Sequence, residues 1–173
     1  MIDDIDSYVV SHVYIASHLA AMERVRTLNE LGRHFNVDMF TRGDTSGYDN
    51  VNIHGEVNSL DEMPKVFNLS KINLNMTVRS IEKGLPLRCF DIMGCGGFLM
   101  TNYQEEIEDM FVPGEDLEVY GSIEELVDKC GYYLTHEEER AAIARRGYEK
   151  VKAAHTHFHR LKEMLDKATY SEV

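Results

Sequence analysis

Ile72-Asn73-Leu74-Asn75-Met76, followed by Gly84-Leu85-Pro86-Leu87-Arg88-Cys89-Phe90-Asp91-Ile92-Met93-Gly94-Cys95-Gly96-Gly97-Phe98-Leu99-Met100-Thr101-Asn102, decides how this chain folds. The first stretch reads as a short strand. Gly84 and Pro86 then interrupt regular structure, and a short helix forms around Phe90-Asp91-Ile92-Met93, with Asp91 opening it. Gly94-Cys95-Gly96-Gly97 stops that helix, and Phe98 to Asn102 is a strand again. Strand, helix, strand is a βαβ unit, whose crossover is right-handed and whose helix covers one face of a parallel sheet.

The same alternation extends outward in both directions. Upstream, Leu19, Met22, Val25, Leu28 and Leu31 recur at helical spacing, and Gly32 stands near the stop. A helix is predicted over 19–34, while 8–15 fits strand or helix. Residues 36–41 alternate polar and apolar as a strand, and the turn formers Gly43, Asp44, Ser46 and Gly47 follow. A second strand is expected over 51–57. Asp61-Glu62-Met63-Pro64 opens a short helix, because the dipole favours acids there and Pro lacks an N–H that would go unused.

Downstream, a helical turn is expected over 105–111 and a strand over 117–120. Ser122 with Glu125 then forms a capping box, and helices follow over 136–154 and 156–168. The prediction is a single Rossmann-like domain over residues 1–173. It is α/β, a doubly wound parallel sheet of about five strands with helices on both faces and a helical carboxyl terminus.

Composition removes several function classes. The 18 Lys+Arg against 30 Asp+Glu give a net charge of −12, which repels nucleic-acid phosphates and anionic lipid heads. Three cysteines, Cys89, Cys95 and Cys130, lack the pairing of a disulfide framework or zinc ribbon, which fits a reducing cytoplasm. No apolar run reaches the roughly 20 residues of a membrane helix, and the acidic opening Met1-Ile2-Asp3-Asp4 is unlike a signal peptide. His155, His157 and His159 alternate at spacing two, which fans them over different helix faces and favours packing over metal.

In an open parallel sheet, ligands bind beyond the carboxyl ends of the strands. The post-strand candidates are Asn75, Thr77, Arg79, Lys83, Gly84, Arg88 and Asp91, then Thr101, Asn102, Tyr103 and Gln104. Gly84 lets backbone approach a ligand closely, Arg88 offers a planar fork for phosphate oxygens, and a carboxylate at Asp91 accepts from ribose hydroxyls. Each has a plain structural role beside the functional one. Arg88 can pair with a carboxylate, Asp91 can cap its helix, and Asn75, Thr101 and Asn102 can satisfy backbone groups at strand ends. Lys83 can be a solvated loop charge.

These stretches, with Lys71 ahead of them and His155-Thr156-His157-Phe158-His159-Arg160 behind, resemble the carboxyl-terminal domain of GT-B glycosyltransferases. The likeness is to glycosyltransferase group 1-like proteins, specifically the spore-maturation CgeB-like group, and it runs from Glu23-Arg24 to Arg160. The resemblance implies the donor-binding half of a two-domain enzyme, whose amino-terminal acceptor domain is missing. That half holds a nucleotide-sugar and transfers the sugar to an acceptor hydroxyl. It would need no bound metal or cofactor.

By the same resemblance, Arg88 faces the diphosphate and stabilises it as it departs, and Asp91 stands where related retaining enzymes have the second glutamate of an E-x7-E pattern. The first glutamate falls at Lys83. Thr101 and Asn102 lie beside the donor, with Asn75, Gly84 and Arg24 as further candidates. The former domain face would be open to homodimerisation. The alternative is a Rossmann-like nucleotide-binding or interaction module without turnover.

Overall fold

The computed structural model describes residues 14–78, 81 and 84–170. Lys83, Arg79 and most of the segment 8–15 lie outside the described residues. The elements are α1 (Ala16–His34), β1 (Asp38–Phe40), β2 (Asn52–His54), α2 (Met63–Leu69), β3 (Asn73–Asn75), α3 (Leu87–Gly94), β4 (Leu99–Asn102), α4 (Ile107–Met110), β5 (Glu118–Tyr120), α5 (Ile123–Thr135), α6 (Glu137–Ala154) and α7 (His157–Tyr170).

The five strands among the described residues run parallel. They are hydrogen-bonded as two ladders, β1 with β2 and β3-β4-β5, rather than as one continuous sheet. Three- and four-residue strands sustain few ladder bonds, so apolar packing joins the two groups. Val37 and Met39 at β1 and Leu74 and Met76 at β3 pack on one shared cluster.

Strand alternation explains why helices lie on both faces. Phe98 just ahead of β4, Met100 on β4 and Tyr120 on β5 turn to a core with Leu28 and Leu31 of α1 and Leu126, Cys130 and Tyr133 of α5. Leu99 and Leu117, on the opposite side, pack with Cys89, Ile92 and Met93 of α3, Phe111, and Val151 of α6. Burial raises the Cys89 and Cys130 thiols to about 11, so both act as small apolar groups.

Two helix ends refine the sequence reading. Ser122 Oγ accepts the Glu125 N–H as predicted, but the Glu125 carboxylate reaches one residue further back, to the Gly121 N–H at 2.8 Å. The helix after β3 opens at Leu87, behind Pro86, rather than at Asp91. Pro86 has φ −57° and an extended ψ of 140°, so it forms the boundary and the next residue is free to start the helix. Asp91 therefore sits in the second turn, where it cannot serve as the cap.

His155 packs against the rings of Phe90 and Phe111 at 5.7 and 5.2 Å. Among the described residues no helix is long and apolar enough to cross a membrane.

Candidate functional site

Because β3 and β4 are parallel neighbours, α3 runs back between them and its first turn lies at their carboxyl ends. That places Arg88 at the end of the sheet where an open α/β domain takes its ligand. Arg88 is exposed. Its guanidinium lies over the Phe67 ring, 5.4 Å from the centroid, and an Nη1 hydrogen touches the Met63 sulfur. Both partners belong to α2, and neither carries a charge. Asp91, three residues on, shares that side of α3; it is exposed, and its carboxylate has no hydrogen-bond partner among the described residues.

Gly84 closes the loop ahead of this helix with φ +93°, in the left-handed region that glycine reaches at little cost. A Cβ there would meet nothing within 4 Å among the described residues. Its N–H donates to the Glu106 carboxylate at 2.9 Å.

Asn75, Thr101 and Asn102 behave differently. Asn75 and Thr101 are register partners across β3 and β4 and are both buried. The Asn75 amide donates to the Thr101 hydroxyl at 2.9 Å and to the Thr77 hydroxyl at 3.0 Å. Asn102 Oδ1 accepts the Thr77 N–H at 2.7 Å. These groups bond to one another and hold the strand ends together.

Arg24 is exposed on α1, the helix packed against α5. An open groove between those two helices is lined by Arg26, Glu30, His34, Ile123, Glu124, Val127 and Asp128. It shares no residue with the loops after β3 and β4. The structure thus gathers Arg88, Asp91 and Gly84 at one exposed end of the sheet, with Asn75, Thr101 and Asn102 turned inward. Glu106 is a member that sequence spacing did not single out, since it meets Gly84 only across 22 residues of chain.

A family model described as glycosyl transferase-like matches residues 17–166. The chain belongs to that family. Solved structures agree on the fold of this glycosyl transferase-like domain. The carboxyl-terminal domain of the glycosyl transferase group 1 family protein LpcC from Francisella tularensis is 16% identical, with a TM-score of 0.58 over 77% of each chain. Sucrose-phosphate synthase from Thermosynechococcus elongatus is 14% identical, with a TM-score of 0.65 over 86% of this chain and 43% of its own. Anabaena HepE, solved in complex with UDP-glucose, is 10% identical, with a TM-score of 0.58 over 73% of this chain and 40% of its own.

No curated protein matches the chain. The fold is that of GT-B carboxyl-terminal domains. The glycosyl transferase-like domain spans less than half the length of the synthase and of HepE.

Proposed function

We propose that this domain binds the nucleotide-sugar donor of a sugar-transfer reaction at the carboxyl ends of β3 and β4, as a member of the CgeB-like group. The observation that carries the reading is the state of Arg88. It stands exposed at the ligand end of a parallel sheet, and among the described residues its partners are an aromatic ring and a thioether rather than a carboxylate. An exposed cation with no ion-pair partner among the described residues, beside a glycine loop, suits an anionic ligand.

As the bond from sugar to diphosphate breaks, negative charge grows on the leaving group. A guanidinium placed there stabilises that charge more in the transition state than in the bound donor. Asp91, free on the adjoining turn, would accept from ribose hydroxyls. HepE's complex with UDP-glucose supports the choice of donor class.

The acceptor and its activating base would come from an amino-terminal domain. Two exposed apolar faces support that arrangement: Ile15 just ahead of α1 with Leu19 and Met22 on it, and Phe158, Leu161 and Leu165 on α7. Three free thiols suit a cytoplasmic setting.

Thermal unfolding with UDP, GDP or ADP at millimolar concentration tests the reading. A ligand present at 100 times its Kd adds about 2.7 kcal/mol of stability, and Arg88→Ala is expected to abolish the shift. If none of the three nucleotides moves the Tm, the donor site is refuted.

A further inference from the structure

The two ladders turn unused edges toward each other. The Asn73 N–H donates to the Phe98 carbonyl, so Asn73 and Asn75 direct their backbone groups to β4. Backbone direction alternates along a strand, and the N–H and C=O of Leu74 therefore point the other way. On the β1 side, the Val37 carbonyl accepts from Asn52 and the Thr41 N–H donates to His54, so Val37, Met39 and Thr41 serve β2. Asp38 and Phe40 point away from it. Among the described residues, the backbone groups of Asp38, Phe40 and Leu74 have no hydrogen-bond partner.

Side chains at the two edges are equally unfinished. Val37 and Met39 on one edge and Ile72, Leu74 and Met76 on the other pack on a single cluster, yet each is only half-buried. Inner strands of a parallel sheet with helices on both faces are buried throughout. β1 and β3 thus share one core, but they lack the close backbone approach of β1 to β2 and of β3 to β4.

Connectivity says what belongs between them. From β1 the chain moves to β2 on one side, and from β3 to β4 and β5 on the other. A doubly wound sheet without its first strand leaves such a pair and triplet. Handedness agrees. The crossover from β3 to β4 carries α3 on one face, while α1, which leads into β1, packs on the opposite face with α5. Right-handed crossovers that move in opposite directions along a sheet put their helices on opposite faces. The strand ahead of α1 therefore lies on the β3 side of β1. Since α1 ends at His34 just before β1, it begins toward the carboxyl end of the sheet, where such a strand finishes.

We infer that the gap between β1 and β3 is a strand-binding site, filled by an extended segment of the protein's own chain from ahead of α1, parallel to both ladders. Leu74 on one side and Asp38 and Phe40 on the other supply its main-chain hydrogen bonds, in the manner of strand addition. Its alternate side chains cover Met39 and Leu74.

Amide hydrogen exchange and NOE spectra of the full chain, beside a chain shortened to start at Tyr14, test this. In the full chain the N–H groups of Asp38, Phe40 and Leu74 are expected to exchange about a hundredfold more slowly than free amides. The Leu74 N–H should show an NOE to an α proton ahead of Tyr14. In the shortened chain that protection should be lost while the Asn75 amide keeps its own, and a synthetic peptide of the deleted residues should restore it. Should the shortened chain fail to fold, the NOE in the full chain decides alone.

Free exchange at these amides in the full chain would overturn the inference. So would an NOE from Leu74 directly to β1, which would close the gap. Protection that survives the deletion, or that rises with protein concentration, would assign the edge to another partner and overturn it too.

Discussion

Arg88 and Phe67 form a cation–π contact between the first turn of α3 and the body of α2, with 5.4 Å from guanidinium carbon to ring centroid. The contact is exposed, where such pairs contribute about 0.5–1 kcal/mol. Phe67→Leu is therefore expected to cost more than that, because Phe67 also packs on the α3 core cluster. Arg88→Ala should cost no more than about 1 kcal/mol in urea unfolding while losing nucleoside diphosphate binding outright. A large stability loss in Arg88→Ala would make the residue structural.

Asn75 and Thr101 predict the opposite balance. Their 2.9 Å bond is buried between paired strands, and removing one partner strands the other. Asn75→Ala and Thr101→Val should each cost about 1–3 kcal/mol. The double variant should cost less than the sum of the two, and a double-mutant cycle on urea midpoints reads the difference. Additive losses would show that the pair is uncoupled.

Two glycines at the contact of α3 with α6 separate space from helix propensity. A Cβ at Gly147 would collide with the Asp116 carbonyl oxygen and stand 3.2 Å from the Met93 sulfur. A Cβ at Gly94 would meet Val151 at an ordinary 3.8 Å. Alanine gains up to about 1 kcal/mol over glycine within a helix, but backbone cannot yield as a flexible side chain does. Gly147→Ala should destabilise by about 1–3 kcal/mol and Gly94→Ala should be neutral or stabilising, read by Tm.

His155 gives the fold a pH dependence. Burial holds its pKa below 6.5, and the charges of Arg160 and Lys150 add to the effect. The folded state therefore keeps the ring neutral where the unfolded chain would protonate it. The unfolded state binds the extra proton, so stability is complete above pH 6.5 and falls as the pH drops below it. Urea midpoints should decline from about pH 7.5 to about pH 5.5, and His155→Gln should flatten that decline. Gln keeps an acceptor for Arg160, which lies at 2.5 Å from the His155 ring nitrogen. An unchanged slope in the variant would assign the dependence to other groups.

The strand at 72–76, the helix stop at Gly94-Cys95-Gly96-Gly97 and the capping Ser122 are legible because each is written in neighbouring residues. The opening of α3 departs from the sequence reading because Pro86, rather than the acidic side chain of Asp91, sets the boundary. Of the candidate site, Arg88 and Gly84 can be named from loop position alone. The inward turn of Asn75 and Thr101 cannot, since 26 residues separate them and only the ladder register makes them neighbours.

The sequence by itself determined the α/β class, the parallel βαβ units and the end of the sheet at which a ligand would sit. Period-two and helical patterns, Gly and Pro punctuation and caps all act within a few residues of chain. Tertiary structure alone decided that the strands divide into two ladders, that Arg88 rests on α2, and that Glu106 meets Gly84. These depend on side chains brought together by burial across distant segments, and local spacing carries no record of such meetings.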